Sequence, residues 1–526
     1  MSSNNILKNA LISLSNKKHL LEMSKILLQK KINLFSTGGT AKFLKSNNIP
    51  VVQLSEYTNV PEIMDGRLKT MHFKIIAGIL GRRKKDKKIM KLYNIIPIDI
   101  VIINFYPFKE KINFKKEKEI EEIIQNIDIG GPTLVRSAAK NYKDVLIIVD
   151  FSDFKLIFNS IKNNDISLEK RFYLATKAFQ YTSHYEKNIK NYFLKNNTFN
   201  ADIKKNLFPD KIELNFKKKQ NLRYGENQHQ KSAWYIKNNI FDSGVISSSY
   251  QVNGKKLSYN NISDADIALE CVKQFLNPAC VIVKHGNPCG ASESISTINA
   301  YISAYKSDPI SAFGGVIAFN TKIDEKTAIK IIQKQFVEVI IAPEINKNAL
   351  KILKEKQNIR ILIVGKIKKN NEKLDFKKIT NGLLLQEYDN SIININKFNF
   401  ITNRKPTNNE LQDAIFCWKV VKYAKSNAIL YGLNKTTISI GSGQTSRVDA
   451  TNLANIKAKN RGFNIKGAVM ASDAFFPFKD GVEKAADMGI CCIIQPGGSI
   501  RDEEVIECAN KNNIAMIFTQ IRHFKH

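Results

Sequence analysis

Short apolar runs that end abruptly in polar, glycine-containing turns set the strongest limit on how this chain can fold. Ala279 to Val283 is wholly apolar and of strand length, and Lys284-His285-Gly286-Asn287-Pro288-Cys289-Gly290 then interrupts it. The run reads as a buried strand, and Gly286, Asn287, Pro288 and Gly290 read as a tight turn. The N-terminal region repeats the theme. Asn9 to Leu14 is a short strand, and His19 to Ile32 has apolar residues at helical spacing (Leu20, Met23, Ile26, Leu27). Leu34-Phe35 is a strand, a helix opens at Ala41, and Ile100 to Phe105 and Val145 to Val149 are further strand-length runs. Strand, loop and helix in alternation imply a parallel sheet covered by helices. Ligands of such sheets bind beyond the strand ends, which is where Lys284 and His285 stand. An imidazole passes protons near neutral pH, and an ammonium steadies negative charge growing on an oxygen. Taken alone, the pair also fits a surface turn carrying two polar residues.

A chain of 526 residues exceeds one core, and about 100–200 residues per domain predicts three or four units. Lys170 to Tyr192 reads as a long helix with Phe172, Leu174, Ala175 and Ala178 on one stripe. Asn196 to Lys219, rich in Asn and Lys with Pro209, reads as a linker. The expected boundary is near residue 200, giving domains 1–200 and 201–526. No apolar run is long enough to span a bilayer, and Met1-Ser2-Ser3-Asn4-Asn5 lacks the regions of a secretory signal. The seven cysteines lie between Cys271 and Cys508 without a Cys-x-x-Cys pair, so the expectation is a reducing cytoplasm and no disulfide framework.

The net charge of +33 raises nucleic-acid binding as a reading. Its basic runs, such as Arg82-Arg83-Lys84-Lys85 and Lys217-Lys218-Lys219, are scattered rather than gathered with aromatics on one element. Lys, Ile and Asn are frequent throughout. Compositional drift therefore accounts for the charge better than a specific nucleic-acid partner, and a basic face also helps anionic small substrates approach.

Four stretches of the first domain fit one pocket. In Ser36-Thr37-Gly38-Gly39-Thr40, two glycines let backbone N–H groups approach an anion at a helix start. Asp65-Gly66-Arg67-Leu68-Lys69-Thr70 concentrates cations and a hydroxyl. Asn104-Phe105-Tyr106-Pro107-Phe108 ends a strand with an amide and a phenol. Asp128-Ile129-Gly130-Gly131-Pro132 is a second glycine turn, leading into a helix with Arg136 and Lys140. Each also fits ordinary turn chemistry.

With Ser13-Leu14-Ser15, this series resembles the inosine monophosphate cyclohydrolase domain of the bifunctional purine biosynthesis family. The resemblance implies a methylglyoxal-synthase-like, Rossmann-type parallel sheet that closes the purine ring of a formylated aminoimidazole carboxamide ribonucleotide with loss of water. It places nucleotide-phosphate contacts on Ser13, Ser15, Lys17, Ser36, Thr37, Gly38, Gly39 and Thr40. It places contacts near the closing ring on Arg67, Lys69, Thr70, Asn104, Tyr106, Asp128, Gly130 and Lys140. Among these, Lys69, Tyr106, Asp128 and Lys140 are the expected proton-handling and charge-steadying set, with Asp128 kept ionised between cations as a base. Three positions depart from the family pattern: Phe73 stands for proline, Ile76 for histidine and Asn16 for aspartate. They bear on loop shape rather than on the proton-handling set.

The second domain opens with Arg223-Tyr224-Gly225-Glu226-Asn227-Gln228-His229-Gln230, in which an arginine and a tyrosine can grip a phosphate and stack on a flat ring. Gly254 to Asn261 is a loop ahead of a helix. The Lys284 to Gly290 stretch follows, then Asp308 to Gly315, Ile340 to Pro343, Lys422 to Asn427, Ile440 to Arg447, Ser472 to Phe478, Gln495 to Ser499 and the tail Arg522-His523-Phe524-Lys525-His526. In order and spacing these resemble the transformylase half of the same family, so the resemblance spans nearly the whole chain. It implies two cytidine-deaminase-like α/β subdomains without zinc. The chain has no His-x-Glu followed by Pro-Cys-x-x-Cys, and Cys289 is expected as a small packed residue.

The implied reaction moves a formyl group from 10-formyltetrahydrofolate, a co-substrate, to the amine of the aminoimidazole carboxamide ribonucleotide. The family assigns proton transfer to His285; by the same resemblance Lys284 would stabilise charge or protonate the folate leaving nitrogen, and Asn427 would hydrogen-bond the tetrahedral intermediate. Substrate contacts carry over to Arg223, Tyr224, Phe313, Gly314, Glu338, Arg447, Phe475, Arg522 and His526. Glu338 is the expected reader of the substrate's amine or carboxamide, its alternative being an exposed helix glutamate. The aromatic loop Phe475-Phe476 suits a pterin. The resemblance further implies a homodimer with transformylase sites shared across the interface, no metal in the chemistry and no membrane.

Overall fold

The computed structural model describes residues 7–64, 69–106, 118–163, 166–196, 207–237, 243–368, 372–391 and 394–526. The chain divides into two compact units, Met1–Leu207 and Phe208–His526.

In the first unit, β1 (Asn9–Leu14), β2 (Asn33–Ser36), β3 (Val52–Gln53), β4 (Ile100–Asn104) and β5 (Leu146–Ile148) form one sheet in the order β3-β2-β1-β4-β5. Every pairing is parallel. Its central strands are almost continuously apolar because helices cover both faces, and β4 buries Ile100, Val101, Ile102 and Ile103. Helix Leu20–Gln29 buries Leu20, Met23 and Leu27, the helical stripe expected from spacing.

Two details differ from expectation. Helix Gly38–Ser46 starts three residues earlier than Ala41, because Thr37 is the extended N-cap and both glycines form the first turn. In helix Leu168–Asn196, Leu174, Ala175 and Ala178 are buried but Phe172 is exposed. At about 100° per residue, Phe172 falls outside the arc the other three share.

In the second unit, β6 (Phe216–Asn221) and β7 (Ala233–Lys237) pair as a hairpin. Then come β8 (Tyr250–Asn253), β9 (Ala279–Lys284), β10 (Asn287–Glu293), β11 (Gly315–Phe319), β12 (Val337–Ala342) and β13 (Arg360–Ile363). A peripheral hairpin, β14 (Leu374–Ile379) and β15 (Gly382–Glu387), precedes β16 (Asn399–Phe400), β17 (Ile429–Leu433), β18 (Thr436–Gly441), β19 (Val469–Ser472), β20 (Cys492–Gln495) and β21 (Ala515–Phe518). Twelve strands share one sheet, ordered β16-β21-β20-β19-β17-β18-β10-β9-β11-β12-β13-β8.

That sheet holds two copies of one pattern. Each copy is a helix (Tyr259–Val272 or Asn408–Val421), an antiparallel hairpin (β9–β10 or β17–β18), then three strands (β11–β13 or β19–β21) parallel to one another. The two leading helices pack in one shared apolar cluster, while the remaining helices form a separate cluster for each copy. The copies meet where β10 pairs antiparallel with β18. The large sheet of the second unit is therefore mixed.

The stretch expected as a loop, Asn287 to Gly290, is strand. Only His285 and Gly286 turn, both with positive φ (52° and 76°). That is the two-residue turn whose twist lets strands re-pair at once. A register shift between Pro288 and Gly290 absorbs the proline, which has no N–H to offer the ladder.

Two candidate active sites

The strand order of the first unit reverses between β1 and β4, so their C-terminal ends frame a crevice. Ser15 follows β1, and Asn104 ends β4. The Ser15 amide donates to Asn104 Oδ1 at 2.6 Å and its hydroxyl donates to the Phe105 carbonyl at 2.7 Å. Ser13 is half-buried on β1 opposite Ile103. The Ser36 hydroxyl donates to the Ile12 carbonyl at 2.7 Å, and Thr40 Oγ1 accepts from the Leu14 amide at 3.1 Å. These two hydroxyls fasten the loop to β1 rather than facing a ligand.

What faces outward is backbone. Thr37 is buried and its side chain makes no cap for the first amides of helix Gly38–Ser46. The Gly38 amide donates to Glu62 Oε1 at 3.0 Å, so a carboxylate already sits at this positive helix end. Lys17 completes the cradle: a Cβ on Gly39 would lie 3.5 Å from Lys17 Nζ.

Across the crevice, Lys69 Nζ lies 5.9 Å from the Tyr106 ring centre. Thr70 is buried against Gly130, where a Cβ would stand only 2.3 Å from Thr70 Oγ1. Asp128 Oδ1 accepts from the Gly131 amide at 2.8 Å, and the Asp128 amide donates to the Tyr185 hydroxyl at 2.8 Å. Burial raises the Asp128 carboxyl above its ordinary pKa, opposed by the Gly131 N–H, the Lys69 ammonium and the Tyr106 N–H. The expected cation effect is thus present but outweighed by burial.

Lys140 is not grouped with these residues. Helix Gly130–Lys140 rises about 1.5 Å per residue, which puts Lys140 roughly 15 Å along the axis from Gly130. It lines a groove of 1060 Å3 with Arg136, Phe179 and His184 instead. Arg67 lies outside the described residues. Phe73 is exposed at the start of helix Phe73–Leu80, and Ile76 packs on the core rim.

In the second unit the His285–Gly286 turn leans on the segment before β17. Asn287 Oδ1 accepts from the Lys425 amide at 2.9 Å, and a Cβ on Gly286 would lie 3.5 Å from Lys425 Cε. His285 is exposed. Lys284 Nζ donates to the Phe313 carbonyl at 2.7 Å, which leaves two of its three protons for a ligand.

Asn427 follows a cis Ser426–Asn427 peptide. Its Oδ1 accepts from Arg447 at 2.8 Å and its Nδ2 donates to the Gln444 carbonyl at 2.9 Å. A guanidinium only donates, so the Asn427 oxygen must face Arg447 and one N–H stays free to meet an oxyanion. Arg447 is fixed by Asp473, fully buried at 2.5 Å, whose other oxygen accepts from the Ser426 hydroxyl. The tail closes this cluster. Ser426 and Lys525 exchange hydrogen bonds (2.9 and 3.1 Å), and the His523 amide donates to the Asp473 carbonyl. This sets Arg522 and His526, both exposed, beside the Ser426–Asn427 segment. His523, by contrast, is buried and paired with Asp389 at 2.6 Å.

Of the other expected residues, Phe313 is tied to the turn through its carbonyl and Lys284. Phe313 is exposed and its ring lies 5.5 Å from that of Phe336, while Gly314 has φ 70°. The Arg223 guanidinium stacks 5.4 Å from the Tyr224 ring, on a segment hydrogen-bonded to the start of helix Tyr259–Val272. Glu338 lies on β12, not on a helix, and is paired with buried Arg360 at 2.5 Å. Phe476 is buried in the core, so only half-buried Phe475 can face a pterin. Cys289 donates to the Ile282 carbonyl, and burial pushes its thiol up to about 12. Among the described residues there is no cluster of His, Cys, Asp or Glu arranged to hold a metal, and no helix long and apolar enough to cross a membrane.

Sequence reasoning missed Asp264, whose carboxylate accepts from the His285 and Gly286 amides at 3.1 and 2.7 Å. No local signal marked it. Asp473 stood inside a recognised stretch but without a role.

Family models match both units, although their boundary falls between residues 133 and 138 rather than at Leu207. A family model described as "AICARFT/IMPCHase bienzyme" matches residues 138–457, and one described as "MGS-like domain" matches residues 19–133. The Bifunctional purine biosynthesis protein PurH of Buchnera aphidicola subsp. Schizaphis graminum is 68% identical over 527 residues, covering 100% of both chains. That of Buchnera aphidicola subsp. Acyrthosiphon pisum (strain Tuc7) is 62% identical over 526 residues, again covering 100% of both. A solved structure titled "Crystal structure of ForH" covers 36% of this chain and 98% of its own, at 26% identity and a TM-score of 0.32. With full-length relatives at this identity and a model matching most of its length, the chain belongs to the AICARFT/IMPCHase bienzyme family of bifunctional purine biosynthesis proteins.

Proposed function

We propose that this chain carries out the last two steps of inosine monophosphate synthesis. The aminoimidazole carboxamide ribonucleotide receives a formyl group from 10-formyltetrahydrofolate, and the formylated product then closes its ring with loss of water. The observation that carries this reading is the seating of the His285 turn against Lys425–Asn427, with Arg447 orienting the Asn427 amide.

In formyl transfer, the 5-amino nitrogen attacks the formyl carbon while His285 accepts the proton that nitrogen loses. The amine's lone pair is spread into its ring and carboxamide, so a base is needed during attack. The tetrahedral oxyanion meets the free Asn427 N–H and the Lys284 ammonium. Collapse breaks the bond from carbon to the folate nitrogen, which takes a proton from Lys284. Arg223 and Tyr224 hold nucleotide, with Arg447, Phe313, Gly314, Glu338, Arg522 and His526 shaping the site and Phe475 flanking the pterin.

In ring closure, the carboxamide nitrogen attacks the formyl carbon of the same molecule, so positioning supplies most of the rate. Phosphate binds at the Gly39 amide with Lys17 and takes the place of the Glu62 carboxylate on the Gly38 amide, beside Ser13, Ser15, Ser36, Thr37 and Thr40. Asp128 takes the nitrogen's proton, and Lys69 with Tyr106 steadies charge and helps water leave, next to Thr70, Asn104 and Gly130. We assign these activities to the second and first units respectively, in a cytoplasmic homodimer whose formyl-transfer sites are shared between subunits.

The test supplies purified protein with nucleotide and 10-formyltetrahydrofolate, and separately with the formylated intermediate. Both substrates should be consumed. Absence of ring closure from the formylated intermediate would leave a transformylase alone, and absence of both reactions would overturn the reading. Sedimentation of the purified chain tests the dimer.

A further inference from the structure

The two copies in the second unit share a device beyond their topology. In the first, helix Tyr259–Val272 begins with a capping box at Ser258, and Asp264 in its second turn accepts from the His285 and Gly286 amides at 3.1 and 2.7 Å. In the second, helix Asn408–Val421 begins with a capping box at Thr407. Asp413, at the matching place, accepts from the Asn434 and Lys435 amides at 2.8 and 2.7 Å. Each aspartate stands 21 residues before the first turn residue it binds. Both turns hold positive φ at both positions: 52° and 76° in the first, 50° and 51° in the second.

Three of these four turn residues carry a Cβ, which makes left-handed backbone unfavourable for them. A bidentate carboxylate that takes both amides compensates by fixing the turn. The clamps are duplicates, but only the first turn carries an imidazole. It faces Lys425, whereas the second turn lies at the opposite end of the seam, where the Glu293 amide donates to the Lys435 carbonyl.

We infer that Asp264 is a positioning residue for formyl transfer: its carboxylate locks the His285–Gly286 turn and so aims the imidazole at the atoms reacting beside Asn427. Asp413 performs the same backbone task without a reacting group on its turn. This rests on His285 being the proton acceptor proposed above.

The experiment compares Asp264→Ala, Asp264→Asn, Asp413→Ala and His285→Ala in the full-length protein. A reacting group misplaced by about 1 Å loses on the order of 100-fold in rate. Asp264→Ala should therefore lower formyl-transfer kcat by about 10–100-fold with little change in KM for the nucleotide and none in ring closure. Asp264→Asn keeps one acceptor oxygen and nearly the same shape, so it should recover part of the loss and remain folded if the alanine variant does not. Asp413→Ala should lower the melting temperature about as much as Asp264→Ala yet leave formyl-transfer kcat intact. Equal kcat losses at Asp264 and Asp413, or loss of stability alone at Asp264, would overturn the inference. Normal formyl transfer in His285→Ala would instead overturn the assignment on which it rests.

Discussion

The first unit grips with its backbone, and the second aims with its side chains. In the crevice between β1 and β4, Ser36 and Thr40 are engaged in fastening the loop to β1, and an amide at the helix start, that of Gly38, holds the Glu62 carboxylate. Beside the His285 turn, polar side chains hold one another in series: Asp473 fixes Arg447, and Arg447 fixes Asn427. The difference fits the assignment proposed above, ring closure to the first unit and formyl transfer to the second. Ring closure joins two groups already on one molecule, so holding it still is most of the task. Formyl transfer must take a proton from a weak amine as a second molecule delivers carbon, so the direction of an imidazole and an amide matters.

The largest expected effect breaks the two sites apart. His285→Ala should lower formyl transfer by roughly 100- to 10,000-fold, the usual worth of a general base, and leave ring closure unchanged in the same preparation. Parallel loss of both would mean the sites are not separate. Next, Asp473→Ala leaves Arg447 buried without its counter-charge, which typically costs about 3–5 kcal/mol. Calorimetry should show the second unit melting earlier, with formyl transfer lost and ring closure kept at temperatures below that transition.

Asp128→Asn asks whether the first unit needs more than grip. A rate loss near 100-fold in ring closure, with formyl transfer intact, supports a proton acceptor there; a change of only a few-fold would reduce that site to positioning alone. The smallest effect concerns Asp266, which lines a cavity with Trp234 and Tyr388 but is exposed to solvent, so water screens the rise of its carboxyl to about 6 that the crowded cavity wall and Glu270 impose. An acid with a higher pKa folded than unfolded stabilises the fold fully below the unfolded value, near 3.8, and loses that contribution as pH rises through about 6. Asp266→Asn should therefore raise the melting temperature at pH 7.5, with the gain vanishing by pH 4.

Much of this arrangement was legible in sequence. Strand-length apolar runs marked β1, β4 and β9, because central strands covered on both faces need near-continuous hydrophobicity. The glycine pair at Gly38-Gly39 marked a helix start, where the Gly38 amide meets the Glu62 carboxylate. Other features left no local trace. Asn287-Pro288-Cys289-Gly290 reads as a turn by composition, yet the φ values at His285 and Gly286 complete the reversal in two residues and return the chain to strand. Asp264 acts across 21 residues, a separation fixed only when helix and hairpin pack together. The repeat in the second unit is a repeat of hydrogen bonds and caps rather than of residue types: Asn434-Lys435 stands where the other copy has His285-Gly286. Lys140 came from the family resemblance rather than from spacing, and it stands at the far end of helix Gly130–Lys140 from the Asp128 turn.

The pairing of β10 with β18 has a mechanical corollary. Across it, the Ala291 amide donates to Thr437, Ser307 donates to the Thr437 carbonyl, and Arg461 reaches Asp308. The polypeptide joining the copies, meanwhile, runs out through the peripheral β14–β15 hairpin. Cutting the backbone at the tip of that hairpin, between Thr380 and Asn381, would leave two fragments zipped along their middle. One would bring the imidazole and the other the amide, held side by side without a covalent link.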